Sequence, residues 1–217
     1  MSAGKLSAEE EAARLYEMSA FEREYRQKGF CAIAGVDEAG RGPLAGPVYA
    51  AAVILKDDAM IPGLNDSKKL SEKKREELYK QITAAAVSYA VASVDERVID
   101  EINILNATLT AMKKSVDLLG ERPDFIFIDG NRGCEMAAPY ITIIKGDAKS
   151  VSVAAASILA KVSRDHYMRG LAEKYPQYGF EKHKGYGTKA HIEAILKYGP
   201  CPAHRKTFLK KILENAK

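Results

Sequence analysis

Cysteine is scarce in this chain and never paired. Cys31, Cys134 and Cys201 are three in 217 residues and form no C-x-x-C, which excludes a disulfide framework and a thiolate zinc site and suits a reducing cytoplasm. No run of about 18 uninterrupted apolar residues is present, and the opening MSAGKLSAEEEAARLYE has no apolar segment, so neither a membrane span nor a secretory leader is expected. The G-x-x-x-x-G-K-[ST] loop of P-loop kinases and ATPases is missing, as are H-E-x-x-H, internal repeats and low-complexity tracts. What remains, 47% hydrophobic and 29% charged residues, is the composition of one compact domain with short appendages, expected to be a cytoplasmic monomer.

The charge is unevenly spread. Overall it is +4, but residues 145–217 carry 15 Lys/Arg against 6 Asp/Glu, a net of +9, together with all four histidines, whereas residues 1–144 are net −5. A basic end suits a polyanionic partner, nucleic acid above all, although a solvated lysine-rich surface has the same composition.

Residues 1–30 read as one polar helix with Leu15, Met18, Phe21 and Tyr25 at helical spacing, ending at Gly29. It is expected to be an amino-terminal extension packed on a domain spanning 31–217. That domain begins with two strands, CAIAGVDEAG and VYAAAVIL, then a helix with Ser71 at its N-cap, a strand AVSYAVASV, and a long helix from Val98 to Leu119. Two short runs, DFIFIDG and YITIIKG, precede a helix with Val151, Ala155, Ile158 and Val162 on one stripe. Strands first and β/α alternation later predict an α/β fold, a mixed sheet flanked by helices.

Carboxylates sit where strands end. Asp37 and Glu38 close the first strand before a glycine turn, and acids there are costly unless paired or bound to a cation; an exposed acidic turn is the alternative. Glu38 shares an ion with Asp37 only if the strand has already ended, because successive strand residues point to opposite faces. Gly40-x-Gly42-x-x-Ala45 mimics a dinucleotide fingerprint, but Gly46-Pro47 and a second strand follow where a helix is required. Asp129 ends FIFI and precedes Gly130, repeating the architecture of Asp37, and Asp147 follows YITIIKG at a position that also suits a helix N-cap. Oxygen-only ligands favour Mg²⁺ or Mn²⁺, and four carboxylates can hold two such ions roughly 3.5 to 4 Å apart for phosphodiester hydrolysis.

Polyanion contacts have their own candidates. Asn65-Asp66-Ser67-Lys68-Lys69 combines a turn, a hydroxyl and two lysines, and Ser157, Lys161 and Arg164 share a helix face that suits phosphate or plain solvent. His183-Lys184-Gly185-Tyr186-Gly187-Thr188 is a basic loop whose tyrosine can stack on a sugar or base, or pack.

Together VDEAGRGPLAGPV, LNDSKKLS, FIDGNR, KGDAKSVSVAAASILAKVSRD, YPQYGFEKHKGYGT and HRKTF closely resemble type 2 ribonuclease H, the bacterial ribonuclease HII family, from about Val36 to Phe208. The resemblance implies the ribonuclease H-like fold with a mixed five-stranded sheet. It implies that Asp37, Glu38, Asp129 and Asp147 are the metal-binding catalytic carboxylates, that Gly40, Arg41 and Gly42 meet the 2′-hydroxyl of the scissile ribonucleotide, and that Tyr186 senses that hydroxyl and the following deoxyribose. Ser67, Lys68, Lys161 and Lys184 are expected to contact the substrate backbone. The expected activity is cleavage of the RNA strand of RNA/DNA hybrids and incision 5′ of ribonucleotides embedded in duplex DNA, as in ribonucleotide excision repair, with two divalent ions, Mn²⁺ or Mg²⁺, and 3′-hydroxyl and 5′-phosphate products. A resolvase- or integrase-type DNA nuclease on the same fold would instead cut all-DNA substrates, and a non-catalytic hybrid-binding module would show no turnover.

Overall fold

The computed structural model describes residues 6–57 and 59–215; residues 1–5 of the expected extension and 216–217 at the carboxyl end lie outside the described residues. Five strands, β1 (Ile33–Ala39), β2 (Val48–Leu55), β3 (Ala86–Val94), β4 (Phe125–Asp129) and β5 (Tyr140–Ile143), form one sheet in the order β3-β2-β1-β4-β5. β1, β2 and β3 pair antiparallel, while β4 and β5 run parallel to β1. β2 reads VYAAAVIL without alternation because both faces are covered, and seven of its eight residues are buried.

One face of the sheet packs against α3 (Glu72–Ala85) and α5 (Val151–Lys174), the other against α4 (Glu96–Asp117). In α5, 15 of 24 residues are buried, so the single stripe predicted from its sequence widens to most of its circumference. Its start presses closely on β1: a Cβ at Gly35 would fall 2.1 Å from the Ser152 carbonyl carbon, and only glycine leaves that space. In α4, Asn103 breaks the predicted continuous helix with φ 66°, and its Oδ1 accepts from the amides of Leu105 and Asn106, capping the second segment.

The single helix expected over residues 1–30 is two, α1 (Ala8–Met18) and α2 (Ala20–Gln27), divided at Ser19. The break lets two apolar sets reach the same sheet face. Leu15 and Met18 enter the core beside α3 and α5, while Phe21 and Tyr25 pack on Phe125 and Phe127 of β4, with Tyr25 and Phe125 ring centres 4.4 Å apart. Buried Glu22 accepts from the hydroxyls of Ser150 and Ser152 and from the Ser152 amide at the start of α5.

Beyond α5 the chain forms a helical lobe of α6 (Phe180–His183), α7 (Lys189–Tyr198) and α8 (Lys206–Glu214), which with the end of α5 surrounds a core of its own. It is laced to the turn after β1 by backbone bonds: Leu44 N–H to Gly185 carbonyl, Gly46 N–H to Ala203 carbonyl, and Arg205 N–H to Leu44 carbonyl. Among the described residues no helix is long and apolar enough to cross a membrane.

Candidate active site

Parallel pairing sets the position of the acids. β1 and β4 are in register from Ile33–Phe125 to Val36–Ile128, so Asp37 and Asp129 both emerge at the carboxyl edge of the sheet, where open α/β sheets take their ligands. One oxygen each from Asp37, Glu38 and Asp129 lies within 4.8 Å of the others. β1 continues to Ala39 along β2, so the strand does not end before Glu38 as its sharing an ion was expected to require. Its pairing with β4 stops at Val36. Beyond that point the β4 side is open, and the longer glutamate side chain comes round the edge to the two aspartates.

Asp147 follows β5, in a 3₁₀ turn (Gly146–Ala148), and is buried. The N-cap position open to it is taken by Ser150, whose Oγ accepts from the Val153 amide. Asp129 Oδ1 accepts from the Gly146 amide at 2.6 Å, which ties β4 to this turn. Asp66, expected only as part of a turn, comes against Asp147. Burial, Asp66 and Asp129 together push Asp147 up to about 6.

The same physics acts on the other acids. Burial first, then Glu38 and Asp129, hold Asp37 well above the usual carboxylate range. Glu38 is raised by burial, with Arg41, 3.4 Å away, opposing. Lys68 is depressed by partial burial but raised on balance by Asp37 and Asp147. Closely set oxygen donors that resist joint ionisation fit a hard divalent cation, which removes their repulsion. Asp37, Glu38 and Asp129 would hold it, with Asp147 beside them.

Two hollows flank the acids. One of about 330 Å³ is lined by Glu38, Arg41, Asp129, Asn131 and the second segment of α4. The other, about 230 Å³, is lined by Glu38, Gly40, Arg41, Gly42, Ser67, Lys68, Lys161 and Tyr186 among others. Tyr186 is 46% exposed, and a Cβ on Gly42 would stand 3.7 Å from its ring. Ser67 is buried and accepts from the Ser157 hydroxyl. Lys161 is engaged by Asp165 at 2.6 Å, and burial lowers its pKa. Lys184 stands apart from both hollows, its Nζ donating to the Glu181 carbonyl.

Arg164 does not face phosphate or solvent. It is 1% exposed and donates to the carbonyls of Ala45, Pro47 and Lys184. Arg205, fully buried, donates to the carbonyls of Gly40, Arg41 and Gly46. Arg205 thus holds the glycine-arginine-glycine turn by its oxygens, while Arg164 holds the segment that follows it, at Ala45 and Pro47. Meanwhile the amides of Arg41 and Gly42, both exposed, donate to no partner among the described residues. Gly40 has φ +96°, and a Cβ there would meet Arg164 Nε at 2.1 Å, so both backbone and space demand glycine. Burial and the like charge of Arg164 lower Arg205, to about 9, which leaves it cationic at neutral pH.

A mixed five-stranded sheet with acids at its carboxyl edge and a basic lobe beside them defines a metal-dependent hydrolase of the ribonuclease H-like fold. The ribonuclease HII model matches residues 34–212. The ribonuclease HII of Acetivibrio thermocellus is 56% identical over 209 residues, covering 96% of this chain and 82% of that one. Among solved structures, ribonuclease H2 of Pyrococcus horikoshii superposes with a TM-score of 0.71 at 30% identity, over 86% of this chain and 99% of the other. The ribonuclease HII in a PCNA complex from Archaeoglobus fulgidus gives 0.69 at 26% identity, over 85% and 96%. The chain belongs to the ribonuclease HII family, and its activity is that of a ribonuclease H endonuclease.

Proposed function

We propose that this endonuclease cuts the RNA strand of RNA/DNA hybrids and also incises 5′ of a single ribonucleotide in duplex DNA, leaving 3′-hydroxyl and 5′-phosphate ends. The observation that carries the reading is the convergence of Asp37, Glu38 and Asp129 within 4.8 Å beside a hollow that holds the glycine-arginine-glycine turn and Tyr186. Asp37, Glu38, Asp129 and Asp147 would hold two divalent cations, Mg²⁺ or Mn²⁺, and such ions when bound would supply an activated water and positive charge for the leaving oxygen.

The protein's own groups do the rest. With their carbonyls occupied by Arg205, Gly40 and Arg41 are held in one conformation, and the free amides of Arg41 and Gly42 are donors suited to a 2′-hydroxyl, the group that separates RNA from DNA. The Tyr186 ring stacks on the neighbouring sugar. Ser67, Lys68 and Lys161 meet phosphates, which orients the strand without reading it. For Lys184 the supporting contact is its backbone, which accepts from Arg164. Because water attacks, the 2′-hydroxyl serves recognition alone. The unpaired cysteines, two of them part-buried and one exposed, suit a reducing cytoplasm.

The test is duplex DNA carrying one ribonucleotide, incubated with Mg²⁺ or Mn²⁺ and with chelator. Incision 5′ of the ribonucleotide, abolished by chelator and giving 3′-hydroxyl ends by mass spectrometry, is expected. A 2′,3′-cyclic phosphate overturns the mechanism, and cutting of all-DNA duplexes reassigns the specificity.

A further inference from the structure

Behind Tyr186 lies a chain of hydrogen bonds whose protons can be assigned one by one. The Tyr186 carbonyl is 2.9 Å from His191 Nδ1. A carbonyl only accepts, so Nδ1 carries the hydrogen, and in a neutral imidazole this leaves a lone pair on Nε2. That nitrogen is 3.1 Å from His204 Nε2, which must therefore donate. His204 Nδ1 is then an acceptor, and the Cys201 amide reaches it at 3.0 Å with the thiol at 3.2 Å. The Cys201 carbonyl is farther, at 3.3 Å, and bonding to it would require a hydrogen on Nδ1 that opposes the amide.

Both rings are inaccessible, His191 at 0% and His204 at 2% exposure. His183 lies over His191, ring centres 4.4 Å apart and 19° from parallel. Its own hydrogen is fixed as well: Nδ1 accepts from the Gly185 amide and Nε2 donates to the Tyr178 carbonyl. Protonating either linked imidazole at its free nitrogen sets a donor against a donor. Burial moves both in the direction of neutrality, His191 down to about 4.

We propose that His191, oriented by His204, is a positioning residue for ribose recognition: the directed chain from the Cys201 amide to the Tyr186 carbonyl fixes the loop that presents the Tyr186 ring beside Gly42. The assignment rests on the reading of Tyr186 as the sugar contact. It requires a side chain that donates at the Nδ1 position, not merely one that fills the space. His191→Asn retains a donor near that position, whereas His191→Leu does not.

The first measurement needs no substrate. Long-range ¹H–¹⁵N correlation spectra of the full ¹⁵N-labelled chain at neutral pH are expected to show His191 as the Nδ1–H tautomer and His204 as the Nε2–H tautomer. An Nε2–H or cationic His191 overturns the chain, whether or not any variant folds. The second compares kcat/KM on duplex DNA with one ribonucleotide to that on an RNA/DNA hybrid. This ratio is expected to fall about tenfold in His191→Leu and to stay within about twofold of wild type in His191→Asn. Equal losses on both substrates, or identical behaviour of the two variants, overturn the positioning role. Tyr186→Ala separates the failures. An unchanged ratio there overturns the sugar reading and this proposal with it; a collapsed ratio there, with an unchanged one in His191→Leu, overturns the histidine chain alone.

Discussion

Two buried charge clusters of opposite sign lie close together, and they solve burial differently. At the sheet edge, carboxylates from β1, β4 and the turn before α5 crowd one another and are forced toward protonation. In the turn next door, Arg164 and Arg205 are at least as buried and have no carboxylate bonded to them, yet each guanidinium donates to three backbone carbonyls. The arginine cluster is internally satisfied and therefore rigid. The acidic cluster is incomplete without a cation, and its instability is what makes it a binding site.

The largest effect should come from the acidic side. Asp37→Asn or Asp129→Asn keeps volume but removes charge, and single-turnover cleavage should drop by on the order of a thousandfold, several kcal/mol of transition-state stabilisation. In metal-free buffer the same Asp37→Asn protein should be slightly more stable to urea, by about 1 kcal/mol, because a buried repulsion is gone. A variant that is inactive and also markedly unstable would make Asp37 a structural acid.

The arginine side should respond in reverse. Arg205→Met strands the carbonyls of Gly40, Arg41 and Gly46, and the midpoint of urea unfolding should report a loss of about 3 to 5 kcal/mol. Arg205→Lys should recover little, since one ammonium cannot reproduce a planar fork that spans three acceptors. A loss under about 1 kcal/mol would mean that the turn holds itself.

The acids were legible in the sequence and the arginines were not, for one reason. A carboxylate that ends an apolar strand is locally anomalous, and the glycine after it marks a turn, so Asp37, Glu38 and Asp129 stood out, although the parallel pairing that brings their strands together came from the structure. Arginine on a helix face or after a histidine looks like any surface cation. Its burial depends on a carbonyl 165 residues away, as in the bond from Arg205 to Gly40, and no local period encodes that. The approach of Asp66 to Asp147, the break at Ser19 and the histidine chain are hidden in the same way. Asn103 is the intermediate case, a helix-breaking residue concealed by an apolar pattern that continues on both sides.

The two kinds of buried group should also pull stability in opposite directions between about pH 4 and 6.5. Asp147 is raised from 3.8 to about 6, so the folded state holds a proton that the unfolded chain releases, and this group favours the fold less as pH rises through that interval. His191 is lowered from 6.5 to about 4. There the unfolded chain binds the proton, and stability grows as pH rises. Each shift corresponds to about 3 kcal/mol over its range. Relative to wild type, metal-free Asp147→Asn should gain stability with increasing pH from 4 to 6, and His191→Asn should lose it. Parallel curves for all three proteins would remove both groups from the pH dependence.

The smallest effect sharpens the comparison from outside, through the substrate. Lys68 is the cation that the acids themselves act on, raised by Asp37 and Asp147 and lining the same hollow as the glycine-arginine-glycine turn. Lys184 belongs to the arginine side, its carbonyl on Arg164 and its ammonium on the Glu181 carbonyl. A phosphate contact releases counterions, so the slope of log affinity against log salt for duplex binding should fall by about one unit in Lys68→Ala. In Lys184→Ala the backbone acceptor remains and the slope should be nearly unchanged. Since phosphates carry no ribose information, the loss in Lys68→Ala should be equal on DNA and on hybrid duplexes. A larger slope change for Lys184 than for Lys68 would move the path of the backbone away from the acids and onto the α6–α7 loop.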